Sequence, residues 1–182
     1  MRICLLNINE INDAEAVRKR LPQRWRRAMK YRLEEDRLRC IGAGLLLIRE
    51  LGIEDESRIL IGPEGKPYVA DGPAFSLSHS GQYCALAVGE GRIGIDIERM
   101  DEAGLPALEA FASADEKARI GEDGPLRGFY ALWTRKEALA KAVGTEHFRD
   151  PGEIDLRRFD SRCFTTQFMD DYCISVYEEK ER

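Results

Sequence analysis

Gly94-Ile95-Asp96-Ile97-Glu98 is the stretch on which the fold reading turns. Side chains two apart on a strand project to the same face. Ile93, Ile95 and Ile97 therefore form one core-facing row, and Asp96 and Glu98 aim two carboxylates at one region on the other side. Glu90-Gly91, just before, reads as a turn, so residues 92–98 begin a new strand. On both sides of that turn the chain runs strand, helices, then strands. In the first half, residues 1–8 read as a buried strand and Ala14 to Leu21 as a short helix stopped near Pro22. A stronger helix spans Glu34 to Leu51, with Leu38, Ile41, Leu45 and Ile48 at helical spacing and Gly52 as its stop. Gly62-Pro63-Glu64-Gly65-Lys66-Pro67 is a turn, and residues 74–78 and 83–88 read as strands around Ser78-His79-Ser80-Gly81.

In the second half the strand is followed by Ser113-Ala114-Asp115-Glu116, a capping box, and a helix from about Leu126 to Val143 ended by Gly144. Residues 154–159, 163–169 and 172–177 read as strands, with Asp170-Asp171 as the last turn. The expectation is an α+β fold of two similar lobes, 1–91 and 92–182, without residue-level duplication.

With 182 residues, 43% hydrophobic and 34% charged, the chain reads as soluble and globular. No apolar run approaches the roughly 20 residues of a membrane span. Met1 to Leu6 reads as the first strand rather than a signal peptide, which points to the cytoplasm. Cys4, Cys40, Cys84, Cys163 and Cys173 form no CxxC pair and read as small buried hydrophobes in a reducing compartment. His79 and His147 lie far apart, so a zinc site is not expected. A net charge of −5 argues against nucleic acid as a partner. Yet Arg18, Lys19, Arg20, Arg24, Arg26, Arg27, Lys30, Arg32, Arg37 and Arg39 crowd one segment whose only acids are Glu34, Glu35 and Asp36. Such a patch suits a compact polyanion or an acidic partner, or is a solvated helix face.

A third carboxylate, Glu137, lies in Trp133-Thr134-Arg135-Lys136-Glu137-Ala138-Leu139-Ala140-Lys141. Three hard anionic oxygens suit magnesium, which prefers carboxylates, water and phosphate oxygens. Lys141 follows Glu137 by four positions, so both share a helix face with Trp133. Its ammonium suits a pyrophosphate, or a surface ion pair with Glu137. Lys136 points about 100° away around the helix.

Gly65-Lys66-Pro67, Phe75-Ser76-Leu77-Ser78-His79-Ser80, Gly94-Ile95-Asp96-Ile97-Glu98 and Trp133 to Lys141 occur in an order that resembles the 4′-phosphopantetheinyl transferase superfamily. The likeness is to its larger, two-lobed class, the type that primes surfactin synthetase. It covers about residues 62–142 and extends more weakly back to Pro22; the chain is shorter than typical members after residue 145. The resemblance implies a magnesium-dependent enzyme that moves the phosphopantetheine arm of coenzyme A onto a serine of an acyl or peptidyl carrier protein, releasing 3′,5′-ADP. It implies lobes related by a pseudo-twofold with the site between them, and a monomer with no nucleic-acid or membrane partner.

By the same resemblance Asp96, Glu98 and Glu137 hold magnesium, with Glu137 alternatively a general base. Lys141 grips the pyrophosphate, and Lys136 is solvated or reaches a phosphate. Ser78 and His79 bind the 3′-phosphate, Lys66 lies on the adenine or phosphate side, and Arg24 and Arg27 reach the 3′-phosphate, which arginine can grip bidentately. Arg39 and Cys40 lie beside a further ligand-contacting position. Glu116 matches an acidic residue that helps deprotonate the serine, or serves only the capping box. Leu105, Leu108 and Phe111, within Met100 to Phe111, either receive the carrier or cover the second lobe's core. Two rival functions are a catalytically silent coenzyme A-binding homologue and a metal-dependent phosphohydrolase. Ser78-His79 and Gly65-Lys66-Pro67 weigh against the hydrolase, which has no evident need for them.

Overall fold

The computed structural model describes residues 1–63, 65–106, 111–120, 124–144 and 151–179. Strand β1 (Arg2–Asn7) leads into helices α1 (Ala14–Arg20), α2 (Pro22–Ala28) and α3 (Glu34–Leu51). A short hairpin, β2 (Ile59–Ile61) and β3 (Pro67–Val69), precedes β4 (Ala74–Ser80) and β5 (Tyr83–Gly89). Next come β6 (Arg92–Arg99), α4 (Ala114–Arg119), α5 (Pro125–Val143), β7 (Phe164–Met169) and β8 (Tyr172–Glu179).

The strands form antiparallel sheets in the orders β1-β5-β4 and β6-β8-β7. In both, the first strand pairs with the last and the last with the one before it. The protein is thus a mixed α/β structure in which one strand order occurs twice. Helix α3 covers the first sheet and α5 the second.

Helix α3 starts on three acids, Glu34, Glu35 and Asp36, that complement its dipole, and stops at Gly52 in the left-handed region (φ 62°). Cys40 to Ile48 are all buried, so its middle is enclosed on every side rather than along one stripe. Burial pushes the Cys84 and Cys173 thiols up to about 12 and about 11, as expected of inert core cysteines.

Two local expectations are corrected. Pro22 is the first residue of α2, where its missing N–H costs nothing; it opens a helix as well as following one. Residues 154–159 form no strand: 3-10 turns run Pro151–Glu153 and Leu156–Arg158. The Asp155 side chain accepts from the Arg157 backbone N–H (3.1 Å) and binds its guanidinium, a local alternative that competes with strand pairing. Among the described residues no helix is long and apolar enough to cross a membrane.

Candidate functional site

The site is built where β4 lies against β6. Strand β6 pairs with β8 on one edge, which leaves amides on the other needing partners. Strand β4 supplies them as hydroxyls at period two. Ser76 Oγ accepts from the Ile95 N–H (3.2 Å), Ser78 Oγ from Ile97 (3.4 Å) and Ser80 Oγ from Arg99 (3.0 Å). Ser78 also donates to Asp96 Oδ1 (2.8 Å) and Ser80 to Glu98 Oε2 (2.8 Å). This serine ladder both joins the two sheets and fixes the two carboxylates. The alternation of Ser76, Ser78 and Ser80 in the sequence was its legible signal.

Asp96 is buried, and its Oδ1 receives Lys141 Nζ (2.6 Å) as well as Ser78. Ser78 Oγ accepts from the same ammonium (3.1 Å), so that hydroxyl is fully used within the seam. Asp96 Oδ2 is buried with no hydrogen-bond partner among the described residues. Burial, then the neighbouring Asp96 charge, pushes the Glu98 carboxyl up to about 7. The same two causes raise Glu137. Three carboxylates and one lysine thus share a space short of positive charge.

Asp96, Glu98, Glu137 and Lys141 line a single cavity of about 990 Å³, together with Trp133, Ser78, His79, Lys66, Arg24 and Arg27. Hard oxygens, excess anionic charge and one bare buried oxygen are what a magnesium ion would satisfy. The carboxylates open onto shared space rather than forming a closed cluster: among the described residues no three acidic, histidine or cysteine side chains sit close enough to enclose a metal.

His79 projects to the opposite side of β4 from the serines and is exposed. The crowding cavity wall lowers its pKa, and the charges of Arg39 and Lys141 add to this. Arg24 and Arg27 make no ion pair among the described residues; burial, with help from Arg27, lowers the Arg24 pKa. Glu56 instead caps α2, accepting from the N–H groups of Gln23 (2.6 Å) and Arg24 (2.9 Å). Lys66 Nζ donates to the Ile93 carbonyl (2.6 Å), tying the β2–β3 turn to the start of β6 at the cavity wall.

Three expected site residues are not brought to this cavity. Lys136 is only 1% exposed and pairs with Glu116 Oε2 (3.1 Å), because its position on α5 turns it away from Glu137 and Lys141. Glu116 accepts from the Ser113 N–H (2.8 Å) in a complete capping box, so its carboxylate is committed to structure. Arg39 is bound to the Gly81 carbonyl (2.7 Å) and Asp36 (2.6 Å), clamping the β4–β5 turn to α3. Cys40 is buried with its thiol toward the Arg24 carbonyl (3.7 Å).

Of the expected carrier loop, Phe111 packs against Trp133 with tilted rings (4.8 Å between centroids) and Leu105 packs into the cluster around Phe129 and Tyr130. Both contacts are with α5, the helix that covers the second sheet. Leu108 and His147 lie outside the described residues.

Residues 92–181 match the family described as the 4′-phosphopantetheinyl transferase superfamily. Curated relatives carry the same description. A 4′-phosphopantetheinyl transferase of Aneurinibacillus migulanus is 33% identical over 102 residues, covering 54% of this chain and 43% of its own. A phosphopantetheinyl transferase of Thraustochytrium is 34% identical over 145 residues, covering 65% and 50%. A 4′-phosphopantetheinyl transferase of Bacillus pumilus is 40% identical over 85 residues, covering 44% and 36%. The chain spans about half or less of the length of these relatives.

Proposed function

Because the chain belongs, through residues 92–181, to the 4′-phosphopantetheinyl transferase superfamily, we propose that it transfers the 4′-phosphopantetheine arm of coenzyme A to a serine of an acyl or peptidyl carrier protein, releasing 3′,5′-ADP. The observation that carries this reading is the cavity at the β4–β6–α5 seam onto which Asp96, Glu98, Glu137 and Lys141 all open. Its walls divide the chemistry. Arg24, Arg27, His79 and Lys66 supply cationic and hydrogen-bonding groups for the phosphates. Asp96, Glu98 and Glu137 are the oxygens that would hold magnesium, which when bound supplies charge neutralisation at the pyrophosphate. Lys141, held by Asp96 at 2.6 Å, donates to the oxygen on which charge develops as the serine–phosphorus bond forms and the bridging P–O bond breaks.

The finer architecture belongs to the same proposal. Lobes 1–91 and 92–182 would be related by a pseudo-twofold with the cavity between them. The doubled strand order supports this, as does a cavity lined from both halves.

Mass spectrometry of apo-carriers incubated with the protein, coenzyme A and magnesium tests the reaction. A gain of one phosphopantetheine arm is expected; coenzyme A binding with no gain on acyl or peptidyl carriers would favour the silent homologue instead. A second measurement addresses His79. Calorimetry of His79→Ala should show coenzyme A weakened about tenfold, the value of one charge-assisted hydrogen bond, with 3′-dephospho-coenzyme A little changed. Equal weakening of both would remove the 3′-phosphate role.

A further inference from the structure

Residues 26–33 hold four cations, Arg26, Arg27, Lys30 and Arg32, and no acid. All four are exposed, and none pairs with a carboxylate among the described residues. Of the three acids that follow, Glu35 and Asp36 are drawn to Arg39, and Glu34 pairs with none of the four among the described residues. Between the cations Met29, Tyr31 and Leu33 stand 44%, 37% and 65% exposed. An apolar centre framed by charge is the anatomy of a protein contact. On a chain of net charge −5, a cationic frame also selects an acidic partner and speeds its encounter. The position fits as well. Helix α2, which runs into this segment, lines the cavity through Gln23, Arg24 and Arg27, so the patch borders the cavity mouth. Of the loop expected to receive the carrier, the described Leu105 and Phe111 pack against α5.

We propose that residues 26–33 dock the acceptor protein, through an acidic surface on that partner that carries apolar side chains to meet Met29, Tyr31 and Leu33. This rests on the transfer reading, which makes the acceptor a protein, and it places the docking surface in the first half of the chain while the metal-holding carboxylates lie in the second. Arg27 lines the cavity and is left intact in the test. Lys30→Glu with Arg32→Glu reverses two charges whose exposed side chains make no hydrogen bond or ion pair among the described residues, so folding is preserved. A Met29→Ser, Leu33→Ser variant tests the apolar centre separately.

The probe is a fluorescent apo acyl carrier protein whose acceptor serine is replaced by alanine, followed by anisotropy, so that binding is read without transfer. The charge reversal should weaken binding at least about tenfold at low salt. With the intact apo-carrier, KM should rise by the same factor, with kcat and calorimetric coenzyme A affinity unchanged. Added salt should weaken the native chain and leave the reversed variant nearly unaffected. The proposal is overturned if carrier affinity is unchanged, if coenzyme A affinity falls equally, or if the only binding lost is to phosphatidylglycerol vesicles. A native chain that binds the serine-free carrier through this patch yet modifies no intact apo-carrier would reject the transfer reading and leave the docking surface standing.

Discussion

Asp96→Ala is expected to abolish phosphopantetheine transfer, a loss of at least about a thousandfold in kcat/KM, while the chain still folds. The size of the effect follows from what converges on that carboxylate. Its Oδ1 receives both Ser78 and Lys141, and its Oδ2 is buried and bare, the oxygen most in need of a cation. Removing it takes away an oxygen proposed to hold magnesium and the anchor that aims Lys141 into the cavity. The fold survives because Lys141 is 28% exposed, so water compensates the freed ammonium, and the serine ladder still reaches the backbone of β6. The stability cost should be about 1–3 kcal/mol. Asp96→Asn separates charge from volume: it keeps an acceptor for Ser78 but loses the anion. It should be nearly as inactive, with magnesium and coenzyme A binding together more weakly by calorimetry. Normal modification of an apo-carrier by either variant at physiological magnesium would take Asp96 out of the metal-holding set.

What the sequence disclosed and what it hid divide along a physical line. Periodicity reports which face a side chain occupies. Strand 92–98 and the common side of Asp96 and Glu98 were therefore legible, as were helix 34–51 and the shared face of Glu137 and Lys141. Periodicity does not report what stands opposite. Spacing turns Lys136 about 100° from Glu137, yet nothing local indicates that it is buried against Glu116, twenty positions away, rather than solvated or on a phosphate. Arg39 belongs to a cationic run that looks like a phosphate site, but the carbonyl of Gly81, distant in sequence, claims its guanidinium. The resemblance gives Ser78 to the 3′-phosphate, although its hydroxyl is spent on Asp96, Lys141 and the Ile97 amide. Residues 154–159 looked extended from composition, and the Asp155 side chain overrode that preference.

Gly94→Val is expected to cost the most stability of any single change at the site. A Cβ at position 94 would collide with the Ala138 carbonyl oxygen and sit 2.7 Å from the Ala142 amide nitrogen, both backbone atoms of α5. No rotamer change relieves that contact; the helix itself must withdraw from β6. Overpacking that forces a backbone shift should cost about 3 kcal/mol or more, a large share of the roughly 5–15 kcal/mol by which domains are stable. At about 2–4 °C per kcal/mol for a chain of this size, the midpoint of thermal unfolding should fall by about 6–12 °C. Function should suffer beyond the unfolded fraction. Glu137 and Lys141 ride on α5 while Asp96 and Glu98 ride on β6, and Gly94 sets the distance between them. Urea unfolding gives the stability. Transfer assayed at a temperature where the variant remains folded gives the second effect, expected as a further loss of at least about tenfold, because misplacing reacting groups by about 1 Å is costly. Gly94→Ala should show the same pattern at smaller size. If Gly94→Val proves as stable and as active as the native chain, α5 does not approach β6 as closely as described, and the carboxylates and lysine need another explanation for their meeting.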